Sequence, residues 1–169
     1  MWSNYLLIIL LSICVITDIK ERKIYNAVLF PFLIIALIFH AITGGWHGLT
    51  EAFLGTAVGL GILFIPYLLG GMGAGDIKLL AVIGGLKGIS FVLMASLYMA
   101  LAGGIMAIIF LFYRKGLLKR FLYMIHGLRH GMRLSLIEDS NSMKTTLPYG
   151  VAIAAGAIYQ AYFPGVLSL

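Results

Sequence analysis

The chain has 169 residues, of which 62% are hydrophobic and 11% charged, with a formal net charge of +6. That composition excludes a soluble globular domain and is that of an integral membrane protein. The lone cysteine, Cys14, lies in an apolar run and leaves neither a disulfide framework nor a CxxC-type zinc site, while the basic residues fall between apolar stretches, which reads as membrane topology and not as nucleic-acid binding.

The apolar N-terminal stretch has no basic residue before it, and Lys20, Arg22 and Lys23 follow it, the reverse of a cleavable signal peptide. It is read as a retained first helix, about Trp2 to Thr17, that ends at Asp18 and carries Trp2 and Tyr5 as an outer aromatic belt. A second helix is expected over about Ile24 to Ile42, an outer turn at Gly44 to Gly48, and a third helix over about Leu49 to Leu69. Within the third, Gly55 and Gly59 form a small-xxx-small face suited to close helix packing.

A glycine-dense turn, Gly70 to Asp76, separates this helix from an apolar stretch, Ile77 to Tyr113, whose only charges are Lys78 and Lys87. The segment that follows, Arg114 to Thr146, carries seven basic residues and two acidic ones and is therefore expected on the cytoplasmic side. The stretch must then cross twice, as two short helices turning near Gly84 to Ser90. With a last helix over about Leu147 to Phe163, the fold class is an all-α, polytopic membrane protein. One membrane domain spans residues 1–169, with six transmembrane helices, both termini outside, and only Lys87 of the twelve basic residues on the outer side.

Within the basic segment, Leu117, Leu118, Phe121, Leu122, Ile125, Leu128 and Met132 recur at helical spacing, the pattern of an amphipathic helix on an anionic cytoplasmic leaflet. His126 and His130, four apart on it, have no carboxylate nearby to complete a metal site. No metal and no cofactor are expected.

Six helices place Asp18 and Asp76 at one level, the cytoplasmic boundary. Asp76 has a plain structural reading as a helix N-cap, and Asp18 as a loop residue, although the macrodipole at a helix C-terminus disfavours its charge. The alternative is chemical. Two carboxyl groups close together in low dielectric cannot both ionise, so one keeps its proton and the pair can activate water against a carbonyl. Gly73 and Gly75 have no side chain to keep an extended peptide from the acids. A GxGD turn taken alone is equally a tight turn.

Three stretches together carry a resemblance. Asp18-Ile-Lys-Glu-Arg-Lys-Ile-Tyr-Asn26 resembles the first-aspartate segment of the prepilin peptidases, the bacterial type IV leader peptidases, in which Asp is followed by basic residues and Ile-Pro-Asn. Gly73-Ala-Gly-Asp76-Ile-Lys-Leu resembles their GxGD box, and Leu147-Pro-Tyr-Gly150 the Pro-Tyr-Gly at their last helix. Tyr25 stands where that family usually has Pro, and nothing corresponds to the extra cytoplasmic region of its larger, methylating members. The resemblance implies an aspartic endopeptidase of the cell membrane that removes the leader of type IV pilin-like precursors at the cytoplasmic face. It implies Asp18 and Asp76 as the catalytic pair, and Asn26, Lys78, Pro148, Tyr149 and Gly150, beside Gly73 and Gly75, as substrate contacts. The competing readings are a small proton-coupled transporter with Asp18 and Asp76 as a relay, which would need a path across the bilayer, and a scaffold without chemistry.

Overall fold

The computed structural model describes residues 2–69, 71–113 and 149–163. They form five helices: α1 (Trp2–Glu21), α2 (Asn26–Leu68), α3 (Ala74–Lys87), α4 (Ile89–Tyr113) and α5 (Tyr149–Tyr162). The all-α class is as expected. The basic segment, with His126 and His130, and also Gly70, Leu147 and Pro148, lie outside the described residues. The chain divides into two compact units, one of residues 1–103 with 148–169 and one of residues 104–147. The described part of the second is the C-terminal portion of α4, where Ile105, Ile108 and Ile109 are exposed.

In the first unit, α1 runs one turn further than the sequence suggests and takes Asp18 into its last turn. The helix is stopped by Arg22, whose left-handed φ of 52° and N–H bond to the Asp18 carbonyl, 2.9 Å, form an αL cap. Lys20 in the last turn complements the macrodipole there. The next helix begins at Asn26, after Tyr25 takes an extended conformation.

The expected outer turn contracts to one residue. Gly45, at φ 55° and ψ −139°, is the sole non-helical position inside α2 and divides it into arms of residues 26–44 and 46–68. These dihedrals suit glycine. The arms fold back on one another: a Cβ at Gly85 of α3 would lie 3.1 Å from Leu33 and 2.7 Å from Thr56, whereas a straight helix would hold those two residues roughly 34 Å apart.

Backbone approach between α2 and α3 is close because the facing residues are small. A Cβ on Gly55 would fall 2.2 Å from the Gly84 carbonyl oxygen, one on Gly84 would fall 2.1 Å from that of Gly55, and Gly59 meets Leu80 and Ala81 in the same way. Apolar side chains gain little by leaving lipid, so such van der Waals contact is what holds the helices together. Gly55→Ala and Gly84→Ala should each cost about 1–3 kcal/mol by overpacking. Gly61→Ala, with open space around its Cβ, should cost nothing. Thermal unfolding of the detergent-solubilised protein checks this, and equal midpoints for all three variants would contradict the packing argument.

The turn expected near Gly84 to Ser90 is at Gly88, whose φ is 85° and whose N–H bonds the Gly84 carbonyl at 2.8 Å. Just before it, the Lys87 ammonium donates to Ser3 Oγ at 3.2 Å and to Asn4 Oδ1, and lies 5.3 Å over the Phe91 ring. The start of α1 therefore meets the end of α3, and the two run antiparallel. α5 closes against α1 and α4, where Gly156 abuts the Ala95 carbonyl and the Met99 N–H. Leu7, Leu10 and Leu11 of α1, Leu79, Leu80 and Ile83 of α3 and Ile153 of α5 are buried between these elements.

Among the described residues three helices are long and apolar enough to cross a membrane: Ser3–Glu21, Asn26–Leu68 and Ile89–Ile109. The six expected spans are not reached on that measure. One reason is that α2 counts once although it is folded in two. The other is that α3 and α5, with 14 residues each, are about 21 Å long against a hydrocarbon core of about 30 Å.

Candidate active site

Asp18 is 6% exposed and Asp76 8%, and they are the buried charged side chains among the described residues. Antiparallel packing of α1 and α3 brings the last turn of one beside the first turn of the other. Both acids line one open cavity of about 360 Å³. Its walls are the connection 22–26 on one side and residues 73–75 on the other.

Each carboxylate is held by a backbone donor. Asp76 Oδ2 accepts the Gly73 N–H at 3.1 Å. The N-cap of α3 is therefore Gly73, and Asp76 stands at the third helical position reaching back, one arm of a capping box. The sequence's bland reading of Asp76 as the N-cap is thus shifted by three residues. Capping alone explains neither its burial nor its place on a cavity shared with Asp18.

Asp18 Oδ2 accepts the Gly150 N–H at 2.9 Å. Gly150 is in the first turn of α5, where backbone N–H groups have no partner within the helix and the macrodipole is positive. A side chain there would displace the acid or the helix: a Cβ on Gly150 would lie 2.6 Å from Asp18 Oδ2 and 3.0 Å from its Cγ. The last glycine of the Pro-Tyr-Gly stretch is thus buried against the acid.

The other residues to which the resemblance gave substrate contacts are distributed as follows. Gly73 and Gly75 line the cavity, and Gly75 is also a packing glycine, since its Cβ would come within 2.9 Å of Ile24 Cβ. Asn26 lines the cavity and accepts a hydrogen bond from Lys78 Nζ at 3.0 Å, so these two residues are each other's partners. Tyr149 is half-buried at the start of α5. Arg22 and Lys23, read in the sequence as topology signals and as part of the first-aspartate segment but not as site residues, line the cavity beside the acids.

Asp76 lies in the first turn of α3, outside the three long apolar helices. A protonated carboxyl beside a second acid on an open cavity can donate a proton while its neighbour accepts one.

Helices of this length and apolarity define a helical membrane protein, and it carries two acids on one cavity. Residues 5–108, more than half the chain, match the model of the type IV leader peptidase family, and the chain belongs to that family. Membership implies an aspartic peptidase acting on prepilins. The matched span contains both aspartates, Asn26 and the GxGD turn, whereas Leu147-Pro-Tyr-Gly150 lies beyond it. No curated protein and no solved structure matches the chain.

Proposed function

We propose that the protein removes the leader of type IV pilin-like precursors at the cytoplasmic membrane face, with Asp18 and Asp76 as the catalytic pair. The observation that carries this reading is the burial of both acids on one cavity. Asp18, already accepting the Gly150 N–H, serves as the carboxylate that takes a proton from water. Asp76 donates its proton to the oxygen of the scissile carbonyl as the water oxygen bonds to the carbon. The tetrahedral diol then collapses: Asp18 passes its proton to the departing nitrogen, the C–N bond breaks, and Asp76 recovers a proton from the diol hydroxyl. A carboxylic acid and an amine result.

Charge supports the orientation. Of the basic residues in the described structure, Lys20, Arg22, Lys23 and Lys78 belong to the end that holds the acids, and Lys87 to the other. A positive-inside arrangement puts the acids at the cytoplasmic face. The two arms of α2, with α1, α3, α4 and α5, then make six passes with both termini outside. The proton-relay alternative gains no such support, because both acids lie at one end.

Co-expression with a pilin precursor tests the proposal. Mass spectrometry should show loss of the leader and, on the reading of the chain as a peptidase without methyltransferase activity, a free amino terminus. An intact precursor would refute the activity, and a stoichiometric added methyl group the peptidase-only assignment.

A further inference from the structure

Residues 22–25 join α1 to α2 and form one wall of the acid cavity, yet they belong to neither helix. Such a connection needs something to fix its path. At its far side Lys78 holds Asn26, the first residue of α2, to the first turns of α3. At its near side the Tyr25 hydroxyl donates to Glu21 Oε2, joining the N-cap of α2 to the final residue of α1, three positions beyond Asp18. The phenol is held above its ordinary range by that hydrogen bond and by the charge of Glu21, so it stays a donor.

We propose that Tyr25 is a positioning residue: its hydrogen bond to Glu21 braces the α1–α2 connection and so fixes the cavity wall and the approach of Asp18 to Asp76. The inference rests on the peptidase reading given above. Two other roles for the hydroxyl are open to comparison. It could touch substrate, since Tyr25 lines the cavity, or it could contribute only to overall stability. Both Tyr25 and Glu21 are exposed, and an exposed hydrogen bond adds little to global stability. Its effect on a loop with few other restraints is local.

The backbone supplies a discriminating substitution. Tyr25 has φ −82° and ψ 130°, close to the φ that proline imposes. Among the described residues no backbone carbonyl accepts its N–H. Ile24, before it, is outside both helices, so no helical turn is broken by the preference of a pre-proline residue for extended backbone. Tyr25→Pro therefore restrains the same connection with no hydroxyl at all.

The test uses the full-length protein in nanodiscs with a purified pilin precursor, alongside Asp18→Asn as the control for the chemistry. Tyr25→Phe and Glu21→Ala should each lower kcat by about tenfold, with KM within about twofold and the unfolding midpoint unchanged. The double variant should be no worse than either single one. Tyr25→Pro should recover kcat to within about threefold of wild type. Hydrogen exchange of the amides at 22–24 should quicken in Tyr25→Phe and return to the wild-type rate in Tyr25→Pro. That readout needs no turnover, so it tests the brace even if wild type fails to cleave, which would count against the peptidase reading alone. Unchanged exchange and kcat in Tyr25→Phe would overturn the brace. So would a loss that proline fails to restore while Glu21→Ala remains active, because the hydroxyl would then be acting on substrate.

Discussion

Asp18→Asn and Asp76→Asn should each reduce leader removal by roughly a thousandfold or more, because general acid–base transfer contributes about 10²–10⁴ per group and the two acids act as one unit. Asparagine keeps the shape and an acceptor oxygen, so the Gly150 N–H in one case and the Gly73 N–H in the other retain a partner. It also removes a charge from a buried site, so neither variant should lose stability. Quantitative precursor cleavage, read together with membrane insertion and the thermal midpoint, separates lost chemistry from lost folding. Cleavage by either variant at a near wild-type rate would end the paired-acid mechanism.

The second large effect is expected at a residue with no functional group. Gly150→Ala places a methyl 2.6 Å from Asp18 Oδ2 and 3.2 Å from its Cβ, so α5 must retreat or the carboxylate must rotate. Either movement breaks the 2.9 Å hydrogen bond from the Gly150 N–H. Displacement of a catalytic group by about an ångström can cost roughly a hundredfold, and kcat should fall by that order while KM changes little. Overpacking adds about 1–3 kcal/mol of destabilisation, so the variant should be assayed below its lowered unfolding midpoint. Gly150→Ala with wild-type kcat would show that the close approach of α5 is dispensable.

These expectations differ in how far they were readable from the chain alone. The membrane character, the apolar segments, the turn region at Gly84 to Ser90 and the two acids were legible because composition, charge parity and short motifs are local properties. So was the small face of Gly55 and Gly59, since a spacing of four puts both on one side of a helix. Which surface it meets was not legible: the partner is Gly84, with Leu80 and Ala81, and the reversal of the chain between α2 and α3 delivers α3 to it.

Helix ends were misjudged where one residue's backbone decided them. α1 runs past Asp18 because Arg22 accepts a left-handed conformation, and Gly73 takes the cap that the acid was expected to provide. The site shows the same division. Asp18 and Asp76 stand out in the sequence because charge near an apolar span is costly and demands a reason. The pairing of Lys78 with Asn26, the bond from Tyr25 to Glu21 and the seating of Gly150 on Asp18 depend on distances of about 3 Å or less between groups on different helices or across a connection. Spacing along the chain carries no information about such approaches when the partners lie 52 or 132 positions apart. The sequence alone therefore determined which side chains could do the chemistry. Tertiary structure decided which backbone groups hold them, because close approach is a property of packed helices and not of any one of them.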